Sequence, residues 1–138
     1  MKRVFLDTNI VIDLLANRQP FSKYAIEIFR QAEEKKISLF TSSHSIATTH
    51  YLLKKYHSEK ALREILDNLL DYLTIIPIDS AILRKGFRSK YKDFEDSIQI
   101  FCASSVENMD CIVTRNPKDF RDSELLILTP DVFCDKLD

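Results

Sequence analysis

An α/β fold, a three-layer sandwich with a central parallel sheet of four to five strands and helices on both faces, is the architecture this 138-residue sequence predicts. Two observations carry the expectation. Strand-like and helix-like segments alternate from end to end, and the strand-like ones are continuous apolar runs instead of period-two stripes. Length adds a third: a single domain over residues 1–138 is long enough to bury about two thirds of its unfolded surface around one core.

The elements follow in order. Val4, Phe5 and Leu6 read as a buried strand, and Ile10, Val11, Leu14 and Leu15 as the inner face of a helix. Pro20 sits where a second helix can begin, and Ala25, Ile26, Ile28, Phe29 and Ala32 keep helical spacing to about Lys36. "ISLFTSS" is a short strand ending in hydroxyls. A helix runs from Ser43 through Ile46, Tyr51, Leu52 and Leu53, and another from Ala61 to Leu73 with Leu62, Ile65, Leu66, Leu69 and Leu70 inward. "TIIPI" is a strand with Pro77 near its end, Asp79 or Ser80 caps the next helix, and that helix stops near Gly86. "DFEDSIQIFCASSVE" is a helix capped by Asp93, "CIVT" and "LLIL" are strands, and Pro130 opens a closing helix.

Composition removes several function classes. With Gly86 as the only glycine, neither a P-loop nor a dinucleotide fingerprint can be built. Cys102, Cys111 and Cys134 form no CxxC pair and read as reduced thiols of a cytoplasmic protein. The apolar opening is cut short by Asp7, which leaves neither a signal peptide nor a membrane span. A net charge of −1 gives no global attraction to nucleic acid, so any such contact is local.

In a parallel sheet, function gathers at the carboxyl ends of the strands. Asp7, Thr8 and Asn9 leave the first strand, Thr41, Ser42 and Ser43 the second, and Thr114, Arg115, Asn116 and then Asp119 follow "CIV". Asp96 joins them if its helix starts on the same side. Two carboxylates about 4 Å apart repel by about 1 kcal/mol in water and more at a protein-like dielectric. A divalent cation relieves that repulsion, and an oxygen-only set favours Mg²⁺ or Mn²⁺ over zinc. Each acid also has a plainer reading: Asp7 as a helix cap, Asp96 as the partner of the Asp93 cap, Asp119 as a turn residue. Asp13, a helical face away from Asp7, is expected to be exposed, and a histidine near the site, His50 before His44 or His57, is a possible proton carrier.

Taken together, "FLDTNIVIDLL", "DFEDSIQIFCA", "CIVTRNPKDF" and "ILTPDVF" resemble the PIN domain family, and within it the VapC-like toxin ribonucleases of bacterial toxin–antitoxin pairs. The resemblance spans nearly the whole chain and rests on four motifs in sequence, since LDTN alone is weak. It implies a PIN-like sandwich and a metal-dependent ribonuclease using Mg²⁺ or Mn²⁺. It also implies an RNA substrate, a cognate antitoxin and a homodimer. Asp7, Asp96 and Asp119 match the family's catalytic, metal-holding acids, and Asn116 stands where many relatives carry another carboxylate. Asn9 and Thr114 match as polar supports.

The chain departs from the pattern at one place. The family usually has a glutamate in the helix after the second strand, whereas "SSHSIATTHYLLKK" offers none and Thr49 falls near that position. The resemblance therefore also admits a weakened PIN module that binds RNA or a protein partner without turnover. A phospho-acceptor receiver domain is a third class, but it expects paired acids after the first strand, and "LDTN" supplies one. "RKGFRSKYK", residues 84–92, holds five cations and no acid around Phe87 and Tyr91. It reads either as an RNA-backbone contact led by Arg88 and Lys90 or as a solvated loop with core aromatics.

Overall fold

The computed structural model describes residues 1–137. Five strands form one sheet: β1 (Lys2–Leu6), β2 (Ile37–Ser42), β3 (Leu73–Ile76), β4 (Cys111–Val113) and β5 (Leu126–Leu128). Their order is β3-β2-β1-β4-β5 and all four pairings are parallel, with Val4 beside Leu39 on one side and Cys111 on the other. The chain builds outward from β1 to β3, then crosses back to place β4 on the free edge of β1. That reversal puts the switch point of the sheet at the carboxyl ends of β1 and β4, where a crevice opens.

Among the described residues seven helices cover the sheet: α1 (Thr8–Leu15), α2 (Ser22–Glu33), α3 (Ser43–Leu53), α4 (Glu59–Leu69), α5 (Ser80–Arg88), α6 (Phe94–Ser104) and α7 (Pro130–Asp135). A 3₁₀ turn, Pro117–Phe120, follows β4. Side chains of β1 alternate between two cores. Val4 and Leu6 pack with Ile28, Leu53, Leu62, Leu66 and Phe133 under α1 to α4 and α7, and Phe5 packs with Ile82, Ile98, Ala103 and Phe120 under α5 and α6. Val4, Phe5 and Leu6 are fully buried, which is why the run is apolar without a period of two. Each such side chain contributes about 1.5–3 kcal/mol by leaving water.

Several boundaries move. Helix α2 starts at Ser22, after Phe21, and not at Pro20. Helix α4 starts at Glu59 because Ser58 Oγ accepts the amide of Ala61, and it ends at Leu69; Leu70 is exposed and Leu73 already belongs to β3. Helix α5 ends near Gly86 as expected, at Arg88, but Gly86 is not its cap: it is buried against α6, where an added Cβ would lie 2.9 Å from Ile98 Cγ2 and from Phe94 Cε1. Its lack of a side chain lets α5 and α6 approach, and α6 carries Asp96. Cys102, Cys111 and Cys134 are free thiols. No helix among the described residues is long and apolar enough to cross a membrane.

Candidate active site

Asp7 leaves β1 with extended backbone and caps α1, so its carboxylate stands at the switch point with its donors around it. Oδ1 accepts the Thr8 amide at 2.8 Å. Oδ2 accepts the Thr114 hydroxyl at 2.7 Å and the Asn9 amide Nδ2 at 3.3 Å. The capping and site readings of Asp7 are thus compatible: one oxygen serves the helix, the other faces β4. Thr114 is fully buried, and its Oγ1 also accepts the backbone amide of Asn116 at 3.1 Å. Burial pushes the Asp7 carboxyl above its usual range, against the pull of the Thr114 hydroxyl and the Thr8 amide.

A cleft of about 210 Å³ opens over Asp7 and is lined also by Thr8, Asn9, Ile12, His44, Thr48, Glu95, Asp96 and Gln99. Asp96 sits in the first turn of α6, its backbone amide held at 2.9 Å by Oδ1 of the cap Asp93. Burial pushes its carboxyl up to about 7, and repulsion from Asp93, Asp119, Asp7 and Glu95 adds to the effect. A second cleft, about 340 Å³, lies on the other side of Asp96 and is lined by Asp93, Asp119, Lys90, Lys92, Lys118 and Arg121, among others. Asp96 borders both.

The three acids therefore share one end of the sheet and feel one another's charge. Among the described residues, however, no three His, Cys, Asp or Glu side chains are gathered into a ready metal cage. Their fit to a cation rests on two other observations. Asp7 is buried and Asp96 half-buried, each is repelled by a neighbouring carboxylate, and among the described residues neither has a salt-bridge partner. Beside Asp7, Asn9 Oδ1 is buried without a hydrogen-bond partner among the described residues, an acceptor left for an added donor or ion. Oxygen donors of this kind suit Mg²⁺ or Mn²⁺.

Other expected residues are placed differently. Asn116 is exposed, outside the linings of both clefts, and meets the site through its backbone amide on Thr114. Thr49 is fully buried and donates to the Ser45 carbonyl of its own helix at 2.7 Å, so Thr48 and His44 form the α3 wall. The histidine at the cleft is His44, 3.5 Å from Glu95, whereas His50 pairs with Glu59 at 2.7 Å outside the cleft lining. Lys90 lines the second cleft; Arg88 lies in the last turn of α5 outside it. Phe87 is 70% exposed and stacked on Phe94, while Tyr91 packs edge-on against Phe101.

Sequence reading missed three features. Asp13 is not exposed: it is 1% accessible and receives Arg115 Nε at 2.7 Å and Nη2 at 3.2 Å. Gln99, one turn after Asp96, donates to Ser45 Oγ at 2.7 Å and Thr8 Oγ1 at 3.3 Å, while Ser42 donates to its Oε1. This buried network ties α1, α3 and α6 together beneath the cleft. Lys118 and Arg121 were legible only as isolated charges after β4.

Comparison with known proteins follows the same lines. A family model described as PIN domain matches residues 3–118. Ribonuclease VapC1 of Aquifex aeolicus (strain VF5) is 31% identical over 140 aligned residues, covering 98% of this chain and 95% of its own. A chain from the structure of VapBC2 of Rickettsia felis, bound to a DNA fragment from their promoter, superposes with a TM-score of 0.66 at 23% identity, over 92% of this chain and 98% of that one. A chain of a toxin–antitoxin complex from Klebsiella pneumoniae gives 0.62 at 28% identity, over 92% and 97%.

Proposed function

The chain belongs to the PIN domain family, and on that premise we propose that it is a metal-dependent endoribonuclease, acting as one PIN-like domain over residues 1–138 and as the toxin of a toxin–antitoxin pair. The observation that carries the reading is Asp7, fixed by Thr8, Asn9 and Thr114 at the switch point with Asp96 on the same cleft. Asp7, Asp96 and Asp119 would hold Mg²⁺ or Mn²⁺. When bound, such an ion supplies Lewis acidity toward phosphoryl oxygens and toward water.

The chain's own residues do the rest. Thr114 and Asn9 aim Asp7 and prevent its rotation, so that its carboxylate meets the substrate in one orientation. Asn116 supports this through its amide on Thr114. Asp96, on the same cleft, would supply a second carboxylate to such an ion. Lys90, Lys92, Lys118 and Arg121 hold the flanking phosphates in the second cleft, and Arg88, in the last turn of α5 outside that cleft, is a further phosphate contact. Among the described residues none of these five is engaged in an ion pair, which leaves them available to a polyanion. Water adds to phosphorus in line as the bond to the leaving oxygen breaks; the attacking water loses a proton to solvent, and the leaving oxygen takes one from solvent.

An antitoxin has a suitable apolar surface. A cavity of about 410 Å³ between α1, α2 and α4 is bordered by Leu14, Ile26, Phe29, Ile65, Leu69 and Tyr72. The resemblance also supports a homodimer and a cytoplasmic location. The second reading, a module that binds without turnover, is favoured by one feature: α3 brings Thr48 and His44 to the cleft, but no carboxylate.

Cleavage of a single-stranded RNA with Mn²⁺ or Mg²⁺ separates the two. The parent is expected to cleave, and chelator or Asp96→Asn to abolish it. Cleavage by Asp96→Asn at the parent rate assigns the activity elsewhere, and RNA binding without cleavage by the parent selects the second reading.

A further inference from the structure

We propose that the ion pair of buried Asp13 with half-buried Arg115 is a positioning device that sets Thr114 against Asp7 and thereby governs how tightly the acidic site takes a divalent cation. The inference rests on the metal-dependent reading above, and goes beyond it by giving a role to two residues outside the cleft over Asp7.

Asp13 lies on α1, six residues beyond Asp7, and Arg115 follows Thr114 directly at the end of β4. The pair is bidentate, Nε to Oδ2 at 2.7 Å and Nη2 to Oδ1 at 3.2 Å, with side-chain exposures of 23% for Arg115 and 1% for Asp13. The guanidinium also lies 4.1 Å from the ring centroid of Phe21, at the entry to α2. Three segments, α1, the α1–α2 connection and the exit of β4, therefore meet on one planar group.

Stability alone does not explain such a pair. Desolvating two charges generally cancels their attraction, and apolar side chains of similar volume often do as well. A bidentate fork does supply a fixed distance and angle between the two backbones that carry it. On one side of that distance stands Asp7, through α1; on the other stand Thr114, whose hydroxyl reaches Asp7 Oδ2 at 2.7 Å, and the segment leading to Asp119. Loss of the fork frees the β4 exit to shift, and a shift of a few tenths of an ångström is enough to weaken the Thr114 contact.

The test uses the full chain. Asp13→Asn is compared with the double variant Asp13→Leu/Arg115→Met, which leaves neither charge unpaired, and with Thr114→Val, each checked for folding by circular dichroism. Mn²⁺ affinity is titrated calorimetrically, and ¹H–¹⁵N spectra of the metal-free proteins are recorded. Each folded variant is expected to bind Mn²⁺ at least about tenfold more weakly than the parent, the usual scale for losing a group that orients a ligand. The amides of Asp7, Thr114 and Asn116 shift in the metal-free spectra. Asp13→Asn combined with Thr114→Val binds no more weakly than the worse single variant, because both act through one contact. A lower melting temperature with Mn²⁺ affinity within about twofold of the parent overturns the proposal. If the parent binds no Mn²⁺ the metal-dependent reading fails instead; unmoved amides at Asp7 and Thr114 then overturn the positioning role as well.

Discussion

Asp96 supplies the sharpest prediction, because its proton reports the electrostatics of the site before any metal is added. Burial first, and repulsion from Asp93, Asp119, Asp7 and Glu95 second, raise its carboxyl from 3.8 to about 7. The folded protein therefore holds this proton more tightly than the unfolded chain does. From about pH 4 to pH 7 the native state binds more protons, so stability falls as pH rises through that window and levels off above it. At about 1.4 kcal/mol per pH unit the ceiling is about 4 kcal/mol. Asp96 is only partly buried, and solvent screening reduces the expected loss to about 1–2 kcal/mol. In melting temperature that is a fall of roughly 3–8 °C between pH 4.5 and 7.5 for a chain of this size. Asp96→Asn removes the titration, so subtracting its profile from that of the parent isolates the effect from the histidines. Saturating Mn²⁺ reverses the trend, because the ion competes with the proton and stabilises more at pH 7.5 than at pH 5.5. Identical pH profiles for the metal-free parent and Asp96→Asn would refute the reasoning.

Other perturbations test the scaffold and the nucleic-acid face. Ser42→Ala removes the α3 cap and leaves Gln99 Oε1 without its donor, a combined loss of about 2–4 kcal/mol in urea unfolding. Gly86→Ala forces a methyl within 2.9 Å of Ile98 Cγ2. Overpacking of about 1–3 kcal/mol outweighs the gain of about 1 kcal/mol in helix propensity, so the melting temperature drops and cleavage weakens as the start of α6 moves. Lys118→Ala/Arg121→Ala is expected to reduce the salt slope of single-stranded RNA binding by about 1.4, measured by fluorescence anisotropy in chelator; an unchanged slope places the RNA elsewhere.

The fold was legible because each level of the sequence agreed. Apolar runs such as "VFL" and "CIV" are short and unbroken, as strands buried on both faces are, and the Asp79 and Asp93 caps stood where local patterning put them. Within the site, Asp7, Asn9 and Thr114 came together as expected, because all three leave adjacent parallel strands at the same end. What stayed illegible was long-range. Asp13 looked exposed because a helical wheel knows nothing of Arg115, 102 residues away. Thr49 sat near the position of the missing acid by spacing, yet its side chain turns to its own helix and Thr48 takes the cleft wall, a one-residue rotation of 100° that spacing cannot resolve. The helix ends near Gly86 as expected, at Arg88, but the glycine is not its cap: it is spent on the approach of α6.

The central claim, that Asp7 and Asp96 hold a divalent cation at the switch point of the sheet, is tested most directly by anomalous diffraction from crystals grown with Mn²⁺. The account predicts a peak contacted by oxygens of both carboxylates at roughly 2.0–2.2 Å, absent from Asp96→Asn. At saturating Mn²⁺, an empty cleft or a peak away from Asp7 would contradict it.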